Sequence, residues 1–236
     1  MLKTIEIQPK KQYEQSIYND VVSHCNSPFI ERSRYTTVHE TSHKISSELR
    51  NAQKDDRLNV FYLLNNKAAM LVEPPVKLND INIPPILRGM RHNLYLRDQK
   101  RYWNNEPLYI FEEWNCYTLG GMCAVNDAEN RLSLERTDAV AGMFEFIIYA
   151  TGLAMTIKDK AKTYWDNSKQ FRYLFDFMLR RSEKVFHKGR TIPEFKSSSS
   201  DELYEKYNSS QEGKKFKEFA ESMKWNNVNW TLTNFF

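Results

Sequence analysis

The stretch from Ala139 to Ile157, AVAGMFEFIIYATGLAMTI, is the richest apolar run in the chain and limits its folds more than any other feature. It is too long for a strand and holds no proline, so it predicts a helix that is apolar on nearly every side. Its length also approaches that of a membrane span. Glu145 stands near its centre, however, with Thr151, Thr156 and two glycines, and a carboxylate at membrane depth is costly. The run therefore predicts a buried core helix over 139–157, begun by Asp138 as its cap. Burying such a helix needs other helices around it. With only 7 glycines in 236 residues and 41% hydrophobic side chains, the chain is expected to be helix-rich rather than a turn-rich sandwich or a disordered polymer. Glu145 itself reads as a helix-rim position, with an Arg partner or a role behind a metal site as alternatives.

Around that helix the periodicity sets out the remaining elements. Tyr13, Ile17 and Val21 at four-residue spacing predict a short amphipathic helix within 10–25, ended by Ser27-Pro28. Val38, Ser42, Ile45 and Leu49 predict one apolar face of a helix over 34–50, with Ser33 as its cap. The runs LNVFYLL (58–64) and AAMLV (68–72) flank Asn65-Asn66-Lys67 and predict a β-hairpin. Four prolines between 73 and 87 predict an extended surface excursion, followed by a helix from about Pro85 to Gln99. A helix over 108–121 is expected to open after Pro107 and break at Gly120-Gly121. Residues 161–187 predict one or two helices with Phe171, Leu174, Phe175 and Met178 on one face, closed by Gly189 and Pro193. The expectation is an α+β, helix-rich domain over 1–195. The serine run at 196–200 reads as a linker, and an amphipathic, aromatic tail (196–236) packs on the domain.

Charge and cysteine usage narrow the partners. Against 34 Lys and Arg stand 30 Asp and Glu, a net charge of +4, which by itself does not call for nucleic acid. The basic and aromatic tail (Lys214, Lys215, Phe216, Lys217, Phe219, Trp225, Trp230) reads as a solvated helix laying its rings on the domain. Three cysteines, Cys25, Cys116 and Cys123, without a Cys-x-x-Cys pair, do not form a disulfide framework. Reduced thiols and the absence of an apolar run after Lys3 lead to an expected cytoplasmic location, with no membrane span and no nucleic acid as partner. Phosphate-cradling glycine loops, a dinucleotide fingerprint and a Gly-x-Ser-x-Gly elbow are all missing from the sequence.

One motif carries chemistry. His39-Glu40-Thr41-Ser42-His43 is His-Glu-x-x-His, and it falls on the helix predicted over 34–50. Residues four apart share a face, so the two imidazoles can grip one Zn²⁺. Glu40, one step round, stands near the ion without binding it and can take a proton from the water that the ion activates. By composition the pentamer arises by chance in about one chain per hundred of this kind. The two histidines flank the buried stripe of Val38, Ser42, Ile45 and Leu49, which places them at a cleft wall rather than on a fully solvated face.

At this point the chain resembles the zincin metallopeptidases. No His-x-x-Gly-x-x-His continuation follows the second histidine, so the resemblance is to the gluzincin branch, in which a Glu on a separate downstream helix is the third ligand. Ile110-Phe111-Glu112-Glu113-Trp114-Asn115-Cys116-Tyr117 resembles that ligand helix, with Glu113 preferred to Glu112 through its Glu-x-Asn-x-aromatic context. The Asp that thermolysin carries four residues beyond the ligand is replaced here by Tyr117. The resemblance implies a zinc-dependent peptidase with His39, His43 and Glu113 as metal ligands and Glu40 as general base. It implies a Tyr or His that steadies the oxyanion, with Tyr109 ranked before Tyr95, His92 and Tyr117. A protein or peptide substrate would lie along an edge strand such as that of the hairpin at 58–72. Other implied readings are a zinc hydrolase of another amide bond, in a cell wall or a polyglutamyl chain, and a noncatalytic metal-stabilised binding module.

Overall fold

The computed structural model describes residues 1–9, 16–55, 57–133 and 136–225. Tyr13 and Trp230 of the predicted elements lie outside them. Three short strands, β1 (Thr4–Glu6), β2 (Leu58–Tyr62) and β3 (Lys67–Val72), form an antiparallel sheet in the order β1-β3-β2. Val60 pairs with Met70 and Phe61 with Ala69, so β2 and β3 form the expected hairpin. The chain reverses one residue earlier than predicted, through Leu64, Asn65 and Asn66, all at positive φ. Asparagine tolerates that region well. Leu64 is held there because its side chain is buried, at 1% exposure. Helix α1 (Ile17–His24) pins this turn: Asp20 Oδ2 accepts from Asn65 N at 3.1 Å, and His24 Nε2 meets Asn66 Oδ1 at 2.8 Å.

The sheet lies against α2 (Arg34–Asn51), which packs on α4 (Tyr109–Glu129), and α4 in turn packs on α5 (Ala139–Lys160). A four-residue helix, α3 (Lys100–Trp103), precedes α4. Behind α4 and α5 runs α7 (Lys169–Gly189), preceded by the short α6 (Lys162–Asn167), and α8 (Ser198–Ser209) and α9 (Gln211–Ser222) complete the body. The architecture is a helix-rich α+β fold with one small antiparallel sheet. As expected, α5 is the core helix. By length and hydropathy it would cross a membrane, yet 94% of its most apolar window is buried inside the fold. Phe171, Leu174, Phe175 and Met178 of α7 are buried as the spacing predicted.

Several expectations are overturned. The proline segment is not a surface excursion. Between β3 and α3 it turns Pro74, Val76, Leu78, Ile83 and Leu87 inward, with single 3₁₀ turns at Leu78–Asp80 and Pro85–Leu87. Ile83 seats over Gly152 of α5, where a Cβ would meet its Cδ1 at 2.5 Å. The helix expected from Pro85 to Gln99 forms only in its second half: residues 85–91 make a 3₁₀ turn and an irregular strap, and helical backbone begins at His92 and continues as a π-helix over Leu94–Asp98. The backbone of the strap is diverted by Glu145: Gly89 lies flat against that carboxylate, and Arg91 N donates to Glu145 Oε2 at 2.8 Å rather than to a helical carbonyl. Glu145 is therefore buried and paired, not at a rim. It also accepts from Arg91 Nη1 at 2.9 Å and from Tyr149 Oη at 2.8 Å.

Gly120 and Gly121 do not stop α4, because α2 crosses closely there. A Cβ on Gly120 would stand 3.1 Å from the carbonyl oxygen of Tyr35. The serine run is not a linker either. Ser197 Oγ accepts from Ser200 N, and Ser198 begins α8. Phe144 of α5 stacks on Phe186 and meets Tyr204 and Tyr207 of α8, while Phe216, Ala220 and Met223 join the same core.

Candidate metal centre

Helices α2 and α4 run antiparallel, fastened at both ends of their contact. At one end Arg34 Nε donates to Asp127 Oδ2 at 2.7 Å; at the other His43 Nδ1 meets Glu112 Oε1 at 3.0 Å. Val38, Thr41, Ser42 and Ile45 face inward from α2, and Leu49 is partly buried against the same core. Ser33 stands at the cap position without a capping hydrogen bond. His39 and His43 project beside this stripe toward the first turn of α4, where Glu113 is buried.

The donors converge. His39 Nε2 and His43 Nε2 are 3.2 Å apart, and Glu113 Oε2 lies 3.6 Å from the first and 3.5 Å from the second. A four-coordinate zinc ion with bonds of about 2.1 Å requires donor–donor edges of about 3.4 Å. The three donors already stand at that spacing. Glu113 Oε2 is buried and receives no hydrogen bond, its neighbours being the two ring nitrogens, and a buried carboxylate oxygen so placed favours a cation beside it, a metal ion or a protonated ring. Two imidazole nitrogens this close repel through their lone pairs unless a proton or a metal ion lies between them. The residues present fit a zinc ion on all three counts, and among the described residues theirs is the cluster with metal-ligand spacing.

Glu112 does different work from its neighbour. A step of one residue turns the side chain by about 100°, so Glu113 enters the triad while Glu112 reaches the far nitrogen of His43. Glu112 Oε2 also lies 3.6 Å from Arg50 Nη1. A carboxylate on the outer nitrogen of a metal-binding imidazole fixes the ring's tautomer and strengthens its lone pair. Helical spacing alone does not assign this partner to the histidines. The adjacent glutamates contained the signal: on a helix, two consecutive acids can address the two nitrogens of one ring.

The electrostatics of the two rings differ. Burial, with His43 and Arg91 nearby, holds His39 well below the usual imidazole range, leaving it neutral and ready to donate its lone pair. Burial also opposes charge on His43, but Cys116, Glu112 and Glu113 outweigh it and hold that ring well above the usual range. Burial pushes the Cys116 thiol up to about 11.

The triad opens into a cleft of about 680 Å³. Glu40 lines it, half-buried, and makes no ion pair among the described residues. Tyr109, Tyr95, Gln99 and Trp103 form the opposite wall. Trp103 stacks on Tyr109 at 4.8 Å. Burial and the adjacent Glu113 carboxylate push both Tyr109 and Tyr95 far above the usual phenol range, so both hydroxyls stay protonated donors. Tyr117 Oη lies 3.2 Å from Tyr95 Oη and accepts from Arg91 Nε at 3.2 Å, and its ring meets the edge of His39 at 4.6 Å. His92 instead packs against Tyr149, away from the triad's lining residues.

The expected edge strand is capped at its end nearest the hairpin turn. β2 lies at the sheet edge toward α2, but at its end Tyr62 N donates to Ser46 Oγ and Tyr62 O accepts from Asn115 Nδ2, so side chains of α2 and α4 take the hydrogen bonds of that residue. No residue of the hairpin lines the cleft. Asn115 is held in turn by the buried Arg181 of α7, at 2.6 Å. Comparison of the chain with family models, with curated proteins and with solved structures gives no match.

Proposed function

We propose that this protein is a zinc-dependent peptidase of the gluzincin kind, with His39, His43 and Glu113 as the metal ligands and Glu40 as general base. The observation that carries this reading is the convergence of two Nε2 atoms and one buried carboxylate oxygen that receives no hydrogen bond, 3.2–3.6 Å apart, beside a second carboxylate in an open cleft. Bound zinc would supply Lewis acidity, making water at the site acidic enough to lose a proton near neutral pH. Glu40, on the same helix and one step round from His39, accepts that proton and returns it to the leaving amine. Tyr109, with Tyr95 behind it, offers a protonated hydroxyl to the oxygen on which negative charge develops. Arg91 and Glu145 hold Tyr117, and Tyr117 steadies both Tyr95 and the His39 ring. A purely structural zinc is closed by four protein ligands, whereas among the described residues three donors converge here, and all three line an open cleft.

The test joins metal content to turnover. Protein purified without chelator is expected to hold one zinc per chain by elemental analysis. Glu40→Gln should retain that zinc and lose hydrolysis of a broad peptide library by at least about a thousandfold in kcat. Full turnover in Glu40→Gln refutes the mechanism, and a zinc-free wild-type protein refutes the whole reading.

A further inference from the structure

Away from the metal centre the sheet carries a notch. β1 pairs with β3 only from Lys67 to Ala69, whereas β2 runs beside β3 as far as Val72. Met70, Leu71 and Val72 therefore have a neighbouring strand on one side only. Just before β1, the backbone of Lys3 is tied to the first turn of α7: its N–H donates to Gln170 Oε1 at 2.9 Å, and its carbonyl accepts from Gln170 Nε2 at 2.6 Å. Between these segments lies a groove of about 540 Å³ that shares no lining residue with the metal cleft.

The floor of the groove is apolar. Leu58 pairs with Val72, and Met70 stands two residues before Val72, so the three side chains share one face of the sheet. Leu58 and Met70 are half-buried there, and Val72 is 43% exposed. Tyr173 of α7 forms a wall. The rim is basic. Lys3 and Lys169 line it, both exposed, and neither makes an ion pair among the described residues. No Asp or Glu lines the groove. Among the described residues, the acids near these positions in the chain are matched or uncharged. Asp166 pairs with Lys162 at 2.6 Å, Asp176 with Arg180 at 2.6 Å and Asp55 with Arg57 at 3.0 Å, while Glu6 stands opposite Lys67 in the β1–β3 register. Burial pushes Glu73, next to Val72, up to about 8, so it keeps its proton at neutral pH.

We propose that this groove is a docking site for an extended segment of a partner polypeptide in which acidic residues alternate with apolar ones. The inference is independent of the peptidase reading. Successive side chains of an extended chain point to opposite sides. Apolar side chains turned to the floor cover Leu58, Met70 and Val72. The acidic ones, left at the rim, meet Lys3 and Lys169, whose charges the groove itself does not balance. The recess argues against a lipid bilayer, because a flat surface does not reach a floor set between α7 and the sheet. The two unmatched cations argue against a neutral apolar segment.

Binding of designed peptides tests this. The full chain carrying Glu40→Gln, so that no peptide is consumed, is titrated by fluorescence anisotropy with three labelled nonapeptides. The first alternates Asp with Val, the second Asp with Ser, and the third Lys with Val. The first is expected to bind about tenfold more tightly than either of the others at 50 mM NaCl, and to weaken at 300 mM as the lysine contacts are screened. Lys3→Glu combined with Lys169→Glu, and separately Val72→Glu, should each lower that affinity about tenfold. All three side chains are exposed, so circular dichroism and Tm are expected to match the unaltered groove. Lys214→Glu on α9, the same charge change elsewhere, leaves the affinity in place. Equal binding of the first two peptides, or an affinity unaltered by the groove variants, overturns the proposal. So does binding to vesicles of phosphatidylcholine and phosphatidylserine, or formation of a dimer, that Val72→Glu abolishes while no peptide is preferred; the groove then belongs to a membrane or to a second copy of the chain.

Discussion

At the scale of single residues, two glutamates next to each other in sequence differ in what they touch, and their removal should differ accordingly. Glu113→Ala deletes a donor and is expected to abolish stoichiometric zinc binding. Glu112→Ala leaves all three donors in place but frees the outer nitrogen of His43. It should weaken zinc affinity ten- to a hundredfold, measured by competition with a chromogenic chelator. Wild-type affinity in Glu112→Ala would show that the contact with His43 Nδ1 is incidental. Glu73 carries a prediction in pH. Its ordinary carboxyl value is 4.5, and burial raises the folded-state value to about 8. Between those values the folded chain holds a proton that the unfolded chain has released, so stability falls as pH rises through that window. Glu73→Gln cannot titrate. From pH 5 to pH 8.5 the wild type should lose about 1–2 kcal/mol more stability than Glu73→Gln in urea unfolding, after allowance for the solvent that reaches this partly exposed group. Parallel pH profiles would exclude the buried-carboxyl account.

At the scale of elements, the site is the crossing of α2 and α4, and Gly120 sets how close they come. The 3.1 Å between a would-be Cβ and the Tyr35 carbonyl leaves little room, and that position is also 3.6 Å from the Cβ of His39. Gly120→Val should force the helices apart at the level of the first histidine. The expected result is loss of about 1–3 kcal/mol and a zinc affinity lowered by tenfold or more. Gly121→Ala is the control, since its nearest neighbour is a flexible Val185 methyl at 3.6 Å, and it should leave zinc affinity unchanged. This crossing explains why Gly120-Gly121 misleads as a helix breaker. Glycine costs a helix only about 1 kcal/mol, and packing of a partner helix readily overcomes it. The irregular first half of the helix expected over 85–99 likewise comes from a tertiary contact. Hydrogen bonds from the strap go to the buried Glu145, a partner more than fifty residues away that no local pattern reveals.

At the scale of the whole molecule, the C-terminal helices belong to the same core as the candidate site. Phe216 of α9 lies within reach of Gly152 on α5, and Phe144 of the same helix packs against α8. Phe216→Ala is expected to cost about 3–5 kcal/mol. Unfolding should remain a single transition when followed both by far-ultraviolet circular dichroism and by zinc release. Two separate transitions would mean that α8 and α9 unfold independently of the metal centre. Helix α4, which carries Glu113, is also bound into this core from behind, through Asn115 and the buried Arg181, so that side chain is positioned by the packed body rather than by a loop.

Some of this was legible from residue order alone, because it depends on short-range periodicity. The pentamer His39–His43 has to present two imidazoles on one helical face, the run from Ala139 has to be buried, and the hairpin follows from two β-rich runs around asparagines. The downstream acidic pair could be singled out because a charged doublet in an apolar helix needs compensation. Other features are set by three-dimensional packing between distant segments: which glutamate enters the triad and which one braces His43, the pairing of Glu145 with Arg91, and the capping of Tyr62 at the end of β2 by Ser46 and Asn115. Each of these is a contact between segments far apart in the chain or a matter of helix phase at a crossing. Such contacts are settled by the collective fit of side chains in the core, a property that no local stretch of sequence possesses.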